Sequence, residues 1–186
     1  MSRNTADADE VYAKRAAADV VFPPMTRYVL RQDWLSFGDD YTIRDAEGRD
    51  VYVVDGRVLS LGDKLSFQDL QGRELAFISQ RLLAWGPTYE ISRDGQVVAL
   101  VKKSVFTFFR CEFTVDVPGP DDLVAEGDFW EHEYQFTRGG RAVASVSKRF
   151  FSWTDTYGVE TTPEVDDVLI LASAVVIDLC CHAKGR

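Results

Sequence analysis

The sequence has little with which to do chemistry. It holds two histidines and three cysteines in 186 residues, and no histidine pair or Cys-x-x-Cys stands at the spacing of a metal site. Gly-x-Ser-x-Gly, P-loop and Gly-x-Gly-x-x-Gly motifs are all missing, which excludes the common nucleophile elbow and phosphate cradles. Positive charge is short as well, with 21 Lys and Arg against 30 Asp and Glu and a net charge of -9. Nucleic-acid binding needs a basic face, so it is not expected. The cysteines are too few for a disulfide framework, and Cys180 and Cys181 are adjacent and poorly placed to bridge, which fits a reducing cytoplasm. The opening MSRNTADADE has no apolar stretch of the kind that leads a signal peptide. A cytoplasmic protein without an integral membrane span is the expectation.

Hydrophobic residues make up 46% of the chain and aromatics 12%, enough for a sizeable core in one domain. Residues 1–26 are Ala- and Asp-rich and close on Pro23-Pro24; they read as a mobile arm. The domain is expected over 27–186. From Arg27 to about Glu160 short alternating apolar runs are separated by turn residues, as in YTIRDAEGRDVYVVDG (41–56) and KLSFQDLQGRELAFIS (64–79). Gly48, Gly72, Gly95 and the pair Gly139-Gly140 sit where hairpin turns need positive φ. An internal repeat runs through this region: AFISQRLLAWGPTYEI (76–91) aligns without gaps on ASVSKRFFSWTDTYGV (144–159), and ALVKKSVFTFFRCEFTV (99–115) is a weaker third copy. The simplest reading is one hairpin corner used repeatedly, its aromatics packed in the core.

The last segment differs. Pro163, Glu164, Asp166 and Asp167 mark a helix start, acidic where the helix dipole favours negative charge. A helix over about 164–183 is expected, and between Val168 and Cys181 only Ser173 and Asp178 are polar. A helix apolar all round is buried in protein or in lipid. An apolar run of about 14 residues is short of the roughly 20 that cross a bilayer, so it belongs inside the protein. A barrel of about eight strands fills itself with side chains, and one of about twelve has room for an axial helix. The expected fold is therefore mainly β, a closed antiparallel barrel of about 12 strands wrapped around a central apolar C-terminal helix.

From about Tyr28 to Asp178 the chain closely resembles the LURP-one-related proteins, part of the tubby-like and phospholipid scramblase superfamily. The resemblance rests on Tyr-x-Ile-x-Asp-x-x-Gly (Tyr41 to Gly48), Tyr89-Glu90-Ile91 followed by Asp94-Gly95, and the apolar helix ending in Ile177-Asp178. It implies a twelve-stranded barrel around a helix, and it implies more about fold than about function.

The candidate functional residues are few. His132 alternates with Glu131 and Glu133 and reads as part of a solvated strand face; His182 reads as a helix C-terminal cap. No metal, cofactor or catalytic residue is expected, and the cysteines, Cys111 included, read as inert in apolar surroundings. Asp178 is a carboxylate in an apolar helix, which is costly unless paired. It is expected near the barrel end bonded to a strand residue or water, or else paired with an arginine. Arg81, Lys102, Lys103, Lys148 and Arg149 recur in one slot of the repeat copies and form the candidate ligand-binding set, for an anionic lipid headgroup. A non-catalytic binding or scaffold protein, recognising such a headgroup or a protein partner, is the leading reading. A membrane-associated scramblase-like protein and an enzyme of unrecognised chemistry are the alternatives.

Overall fold

The structure, a computed structural model, describes residues 25–32, 40–56, 62–104, 112–120, 122–148 and 156–182. The expected arm therefore lies outside the described residues up to residue 24. Strands β1 (Thr26–Gln32), β2 (Tyr41–Asp45), β3 (Asp50–Gly56), β4 (Lys64–Asp69), β5 (Glu74–Gln80) and β6 (Thr88–Arg93) form the first half. The second half is β7 (Gln96–Lys103), β8 (Glu112–Asp116), β9 (Leu123–Asp128), β10 (Glu133–Arg138), β11 (Arg141–Ser147) and β12 (Thr156–Thr161). One helix, α1 (Asp167–His182), follows. Each strand pairs antiparallel with its neighbours in sequence, and β1 pairs with β12 through Leu30↔Tyr157 and Tyr28↔Val159. The twelve strands thus close into a barrel, leaving no free edge among them, as the sequence pattern and the resemblance both anticipated.

Alternation decides what lies inside. In β2 Tyr41 and Ile43 are fully buried while Thr42 and Arg44 are not, and in β12 Tyr157, Val159 and Thr161 point inward. The turns between paired strands are set by their own residues. Asp45 Oδ1 accepts the backbone N–H groups of Glu47 and Arg49, and Arg49 Nε donates to Asp45 Oδ2 at 2.7 Å. Asp69, Gln71 and Arg73 repeat the arrangement, around Gly48 and Gly72 at φ of 80° and 79°. The register shifts beside Ile43, Phe67, Ile91 and Phe136 place a bulge in each of four hairpins at the same end of the barrel, sharpening the local twist there.

Helix α1 runs down the interior, with Ile170 to Leu179 buried without a break. It starts at Asp167, three residues later than the acidic run suggests, because Thr162–Val165 turn first and Asp166 caps the helix. Asp166 Oδ1 accepts the Leu169 N–H at 2.9 Å, and Arg93 grips the same carboxylate from both sides at 2.6 and 2.7 Å. Asp167 accepts hydrogen bonds from Tyr28 (2.7 Å) and Thr161 (2.6 Å). The buried Ser173 hydroxyl donates to the Leu169 carbonyl at 2.8 Å and needs no other partner. Among the described residues no helix is long and apolar enough to cross a membrane.

The topology gives the barrel two ends. The β2–β3, β4–β5, β6–β7, β8–β9 and β10–β11 connections and the start of α1 lie at one, the entry end. The β5–β6 and β9–β10 connections and the C-terminus of α1 lie at the other, the far end.

Candidate binding site at the far end of the barrel

The six even-numbered strands all begin at the far end, and each turns one side chain inward within its first two residues. These are Tyr41, Leu65, Tyr89, Phe113, Tyr134 and Tyr157, none more than 5% exposed. They form a largely aromatic collar around the last turns of α1. This collar accounts for part of the sequence repeat: its matched tyrosines, Tyr89 and Tyr157, occupy equivalent places in it, and Phe113 of the third copy joins them. Trp85 stands wholly exposed, so the expectation that the repeat's aromatics pack inside fails there. Its match, Trp153, lies outside the described residues.

Inside the collar sits Asp178, 5% exposed. Its Oδ2 accepts a hydrogen bond from the Tyr41 hydroxyl at 2.8 Å, and its Oδ1 accepts from His132 Nε2 at 2.8 Å. His182 Nδ1 lies 3.0 Å from the same Oδ1 without the alignment of a hydrogen bond, one helical turn along α1. The partners are thus a strand tyrosine and two histidines, not the arginine that one reading of the sequence offered. His182 Nε2 meets the Trp130 carbonyl at 3.1 Å; a carbonyl only accepts, so that nitrogen carries hydrogen. The two imidazoles stack at 4.3 Å with planes 8° apart, and Tyr157 stacks on the outer face of His132 at 4.6 Å.

His132 is buried rather than on a solvated strand face. Residues Phe129–His132 form a tight turn: Asp128 Oδ1 accepts the Trp130 and Glu131 N–H groups, both at 3.1 Å, and His132 adopts φ of 52°. Gly127 permits this close return, because a Cβ there would stand 2.5 Å from the Glu133 carbonyl oxygen.

Burial alone pushes the Asp178 carboxyl up, but the contacts of His132 and His182, the His132 charge and the Tyr41 hydrogen bond outweigh it and hold the pKa at about 2. His182 is shifted upward by its contact with Asp178, against partial burial, with the Trp130 carbonyl helping and the Lys148 charge opposing. With Nε2 already protonated, a second proton on Nδ1 is what turns the Nδ1···Oδ1 approach from a clash of lone pairs into an ion pair. Burial, then the Asp178 charge, raises the hydroxyls of Tyr134 and Tyr157 well above the ordinary tyrosine range.

His132, Asp178 and His182 bring three ligand-type atoms within 4.8 Å of one another. As placed they suit an ion pair better than a metal. An ion in the plane of one imidazole would stand far out of the plane of the other, because the rings are parallel and stacked. Cys180, pushed up to about 12 mainly by burial, stays a thiol at neutral pH; Cys111 lies outside the described residues.

The four described repeat-slot cations are distributed around this end. Lys102 and Lys103 alternate: Lys102 points outward and pairs with Asp116 at 2.8 Å, whereas Lys103 lies opposite the inward Phe113 with its Nζ 5.7 Å from that ring's centre. Arg81 faces Glu90 on the outside at 3.2 Å. Lys148 follows β11, where its backbone N–H and the Ser147 hydroxyl both donate to Glu133, and its charge is felt at His182. Arg149 lies outside the described residues. Lys103 and Lys148 are therefore the pair that acts on the inner face, and Arg81 and Lys102 belong to the outer wall.

The sequence family LURP-one-related matches residues 26–178. The Bacillus subtilis (strain 168) "Uncharacterized protein YxjI" is 36% identical over 158 residues, spanning 85% of this chain and 95% of its own length. The X-ray structure of the Arabidopsis thaliana protein AT5G01750 shares the fold with a TM-score of 0.64 at 17% identity, over 84% of this chain and 91% of that one. A match that runs from the first residue of β1 to the buried Asp178 of α1 takes in the whole barrel, and on it the chain belongs to the LURP-one-related family.

Proposed function

We propose that this protein is a cytoplasmic, non-catalytic binding module that takes an anionic, phosphate-type headgroup at the far end of its barrel. The observation that carries the reading is Lys103. It faces inward at the end of β7 over Phe113, and no carboxylate pairs with it among the described residues. Lys148 and His182 add positive charge on the same side. In a chain of net charge -9, inward-facing cations gathered at one end are a local exception, and such a cluster attracts phosphate groups.

The Asp178–His132 pair argues against an enzyme. Its carboxylate holds an imidazole much as hydrolases do, but His132 is 8% exposed, and its free Nδ1 is buried with no partner. A general base must lie within hydrogen-bond reach of the proton it takes, and no substrate reaches this nitrogen. The pair ties α1 to the collar.

Binding of inositol hexakisphosphate in solution, measured by calorimetry, tests the site. The expected result is binding that weakens as ionic strength rises and that Lys103→Gln reduces with the melting temperature preserved. Absent binding, or binding indifferent to Lys103→Gln, would overturn the reading.

A further inference from the structure

Among the described residues seven large hydrophobic side chains are exposed, four of them at the far end. Met25, Leu70 and Val97 lie at the entry end and are 44 to 53% exposed. Leu82, Leu83, Trp85 and Trp130 lie at the far end, and Leu83 and Trp85 are fully exposed, each at 101%. We propose that the far end docks on an anionic lipid bilayer, with Leu82, Leu83 and Trp85 entering the interface and Trp130 resting at headgroup depth. The proposal rests on the headgroup reading above and names the form in which that headgroup is met.

The segment carrying three of these residues is built and not merely loose. Its base is tied by the Arg81 N–H to the Thr88 carbonyl at 2.8 Å and by the Lys103 N–H to the Pro87 carbonyl at 3.1 Å. Gly86 takes φ of 90° at the bend, and Leu82 lies close over Gly62, where a Cβ would stand 3.0 Å from its methyl. A finger held at both feet with its apolar tips in water is pre-organised for a partner.

The tips choose the partner. Leucine suits acyl chains, tryptophan prefers the membrane–water interface, and a flanking arginine can reach back to phosphates. Arg81 is that arginine, and Lys103, Lys148 and His182 place further cations toward the same surface, where anionic lipid attracts them. At the entry end, by contrast, arginines and carboxylates are paired with one another, Arg49 with Asp45, Arg73 with Asp69 and Arg93 with Asp166.

The test compares full-length wild type with the double variant Leu83→Ser/Trp85→Ser. Co-sedimentation is run with phosphatidylcholine vesicles and with the same vesicles containing phosphatidylserine, beside calorimetry with inositol hexakisphosphate. The expected result is wild-type binding to the anionic vesicles only, and a loss of about tenfold or more in the double variant from its missing apolar contacts. Binding to inositol hexakisphosphate should stay unchanged, since neither residue belongs to the headgroup site. Quenching of Trp85 fluorescence by brominated lipid, lost in Trp85→Phe, should report insertion. Wild type that binds the soluble phosphate but no vesicle would overturn the bilayer and leave the headgroup site standing. Failure with both probes would remove the site itself. Vesicle binding that the double variant retains, or that proceeds without quenching of Trp85, would overturn the insertion.

Discussion

The two ends of this barrel solve the same problem, anchoring a helix inside a sheet, with different chemistry. At the entry end charges stay near water and make short local bonds. Asp45 and Asp69 fold their own turns, Asp166 caps α1 and is gripped by Arg93, and Asp167 is held by Tyr28 and Thr161. At the far end the one helix carboxylate, Asp178, is withdrawn from water among aromatic rings and held by Tyr41, His132 and His182. There the apolar residues go the other way, with Leu83 and Trp85 fully in solvent. An end that spends its polar groups on turns and caps is a structural closure. An end that buries a carboxylate and shows leucine and tryptophan to water has surface left for a partner.

The largest effect should come from the rod joining the two ends. Leu171→Asp would place an unpaired charge at a wholly buried site, a cost of order 5 kcal/mol or more. No cooperative thermal melt is expected for it by circular dichroism. A variant that still melts cooperatively would show that the barrel stands without α1, and the ends would then be independent.

The next effect separates the ends. Asp178→Asn keeps the shape but leaves His132 and His182 facing a neutral amide in the interior, which should cost roughly 3 kcal/mol. Arg93→Ala at the entry end breaks an ion pair whose side chains are 32% and 44% exposed, and should cost about 1 kcal/mol. Chemical denaturation of the two variants measures the difference. Equal losses would erase the distinction between a buried anchor and a surface one.

Much of the scaffold was legible in the sequence because its signals are local. Gly48, Gly72, Gly95, Gly139 and Gly140 all take positive φ, and the apolar character of 168–181 announced a buried helix. The site was less legible because its parts are brought together by closure: Tyr41 and His132 reach Asp178 from 137 and 46 residues away. His132 was misread since Glu131-His132-Glu133 mimics strand alternation, whereas Gly127 and Asp128 impose a turn. Those two residues were the available signal. The cationic slot shows the same limit: it aligns in sequence, yet β alternation sends Lys102 outward and Lys103 inward. Trp85 looked like core because its repeat companion Tyr89 is core, and only the barrel separates collar from rim.

pH should distinguish the ends by a smaller margin. Asp178 and Asp166 both have lowered pKa values. The stability they lend is complete above their ordinary value of about 4 and is lost as pH falls, for Asp178 through about 2. Acid loss is therefore shared. His182 is raised above its ordinary 6.5, so its contribution is complete below that value and is lost as pH rises through the shifted pKa. Between about pH 5 and about pH 9 the alkaline loss belongs to the far end, because the raised groups of the entry end, Tyr28 and Arg93, titrate well above that window. Melting temperature followed from about pH 5 to about pH 9 should decline on the alkaline side in wild type and run flatter in His182→Gln. An identical slope in both would remove His182 from the anchor.

The smallest effect is expected where the far end is most exposed. In Leu83→Ser/Trp85→Ser both side chains leave fully exposed positions. No packing is lost and no cavity is made, so folding stability should stay within about 0.5 kcal/mol of wild type, with aggregation reduced as exposed apolar surface is removed. Denaturant unfolding and light scattering measure the two. The prediction sharpens the comparison because Leu70→Ser at the entry end, where the side chain is 53% exposed and so partly covered, should lose more. A drop of several degrees in the far-end variant would mean that these residues pack against the barrel in solution, and the far end would then be as closed as the other.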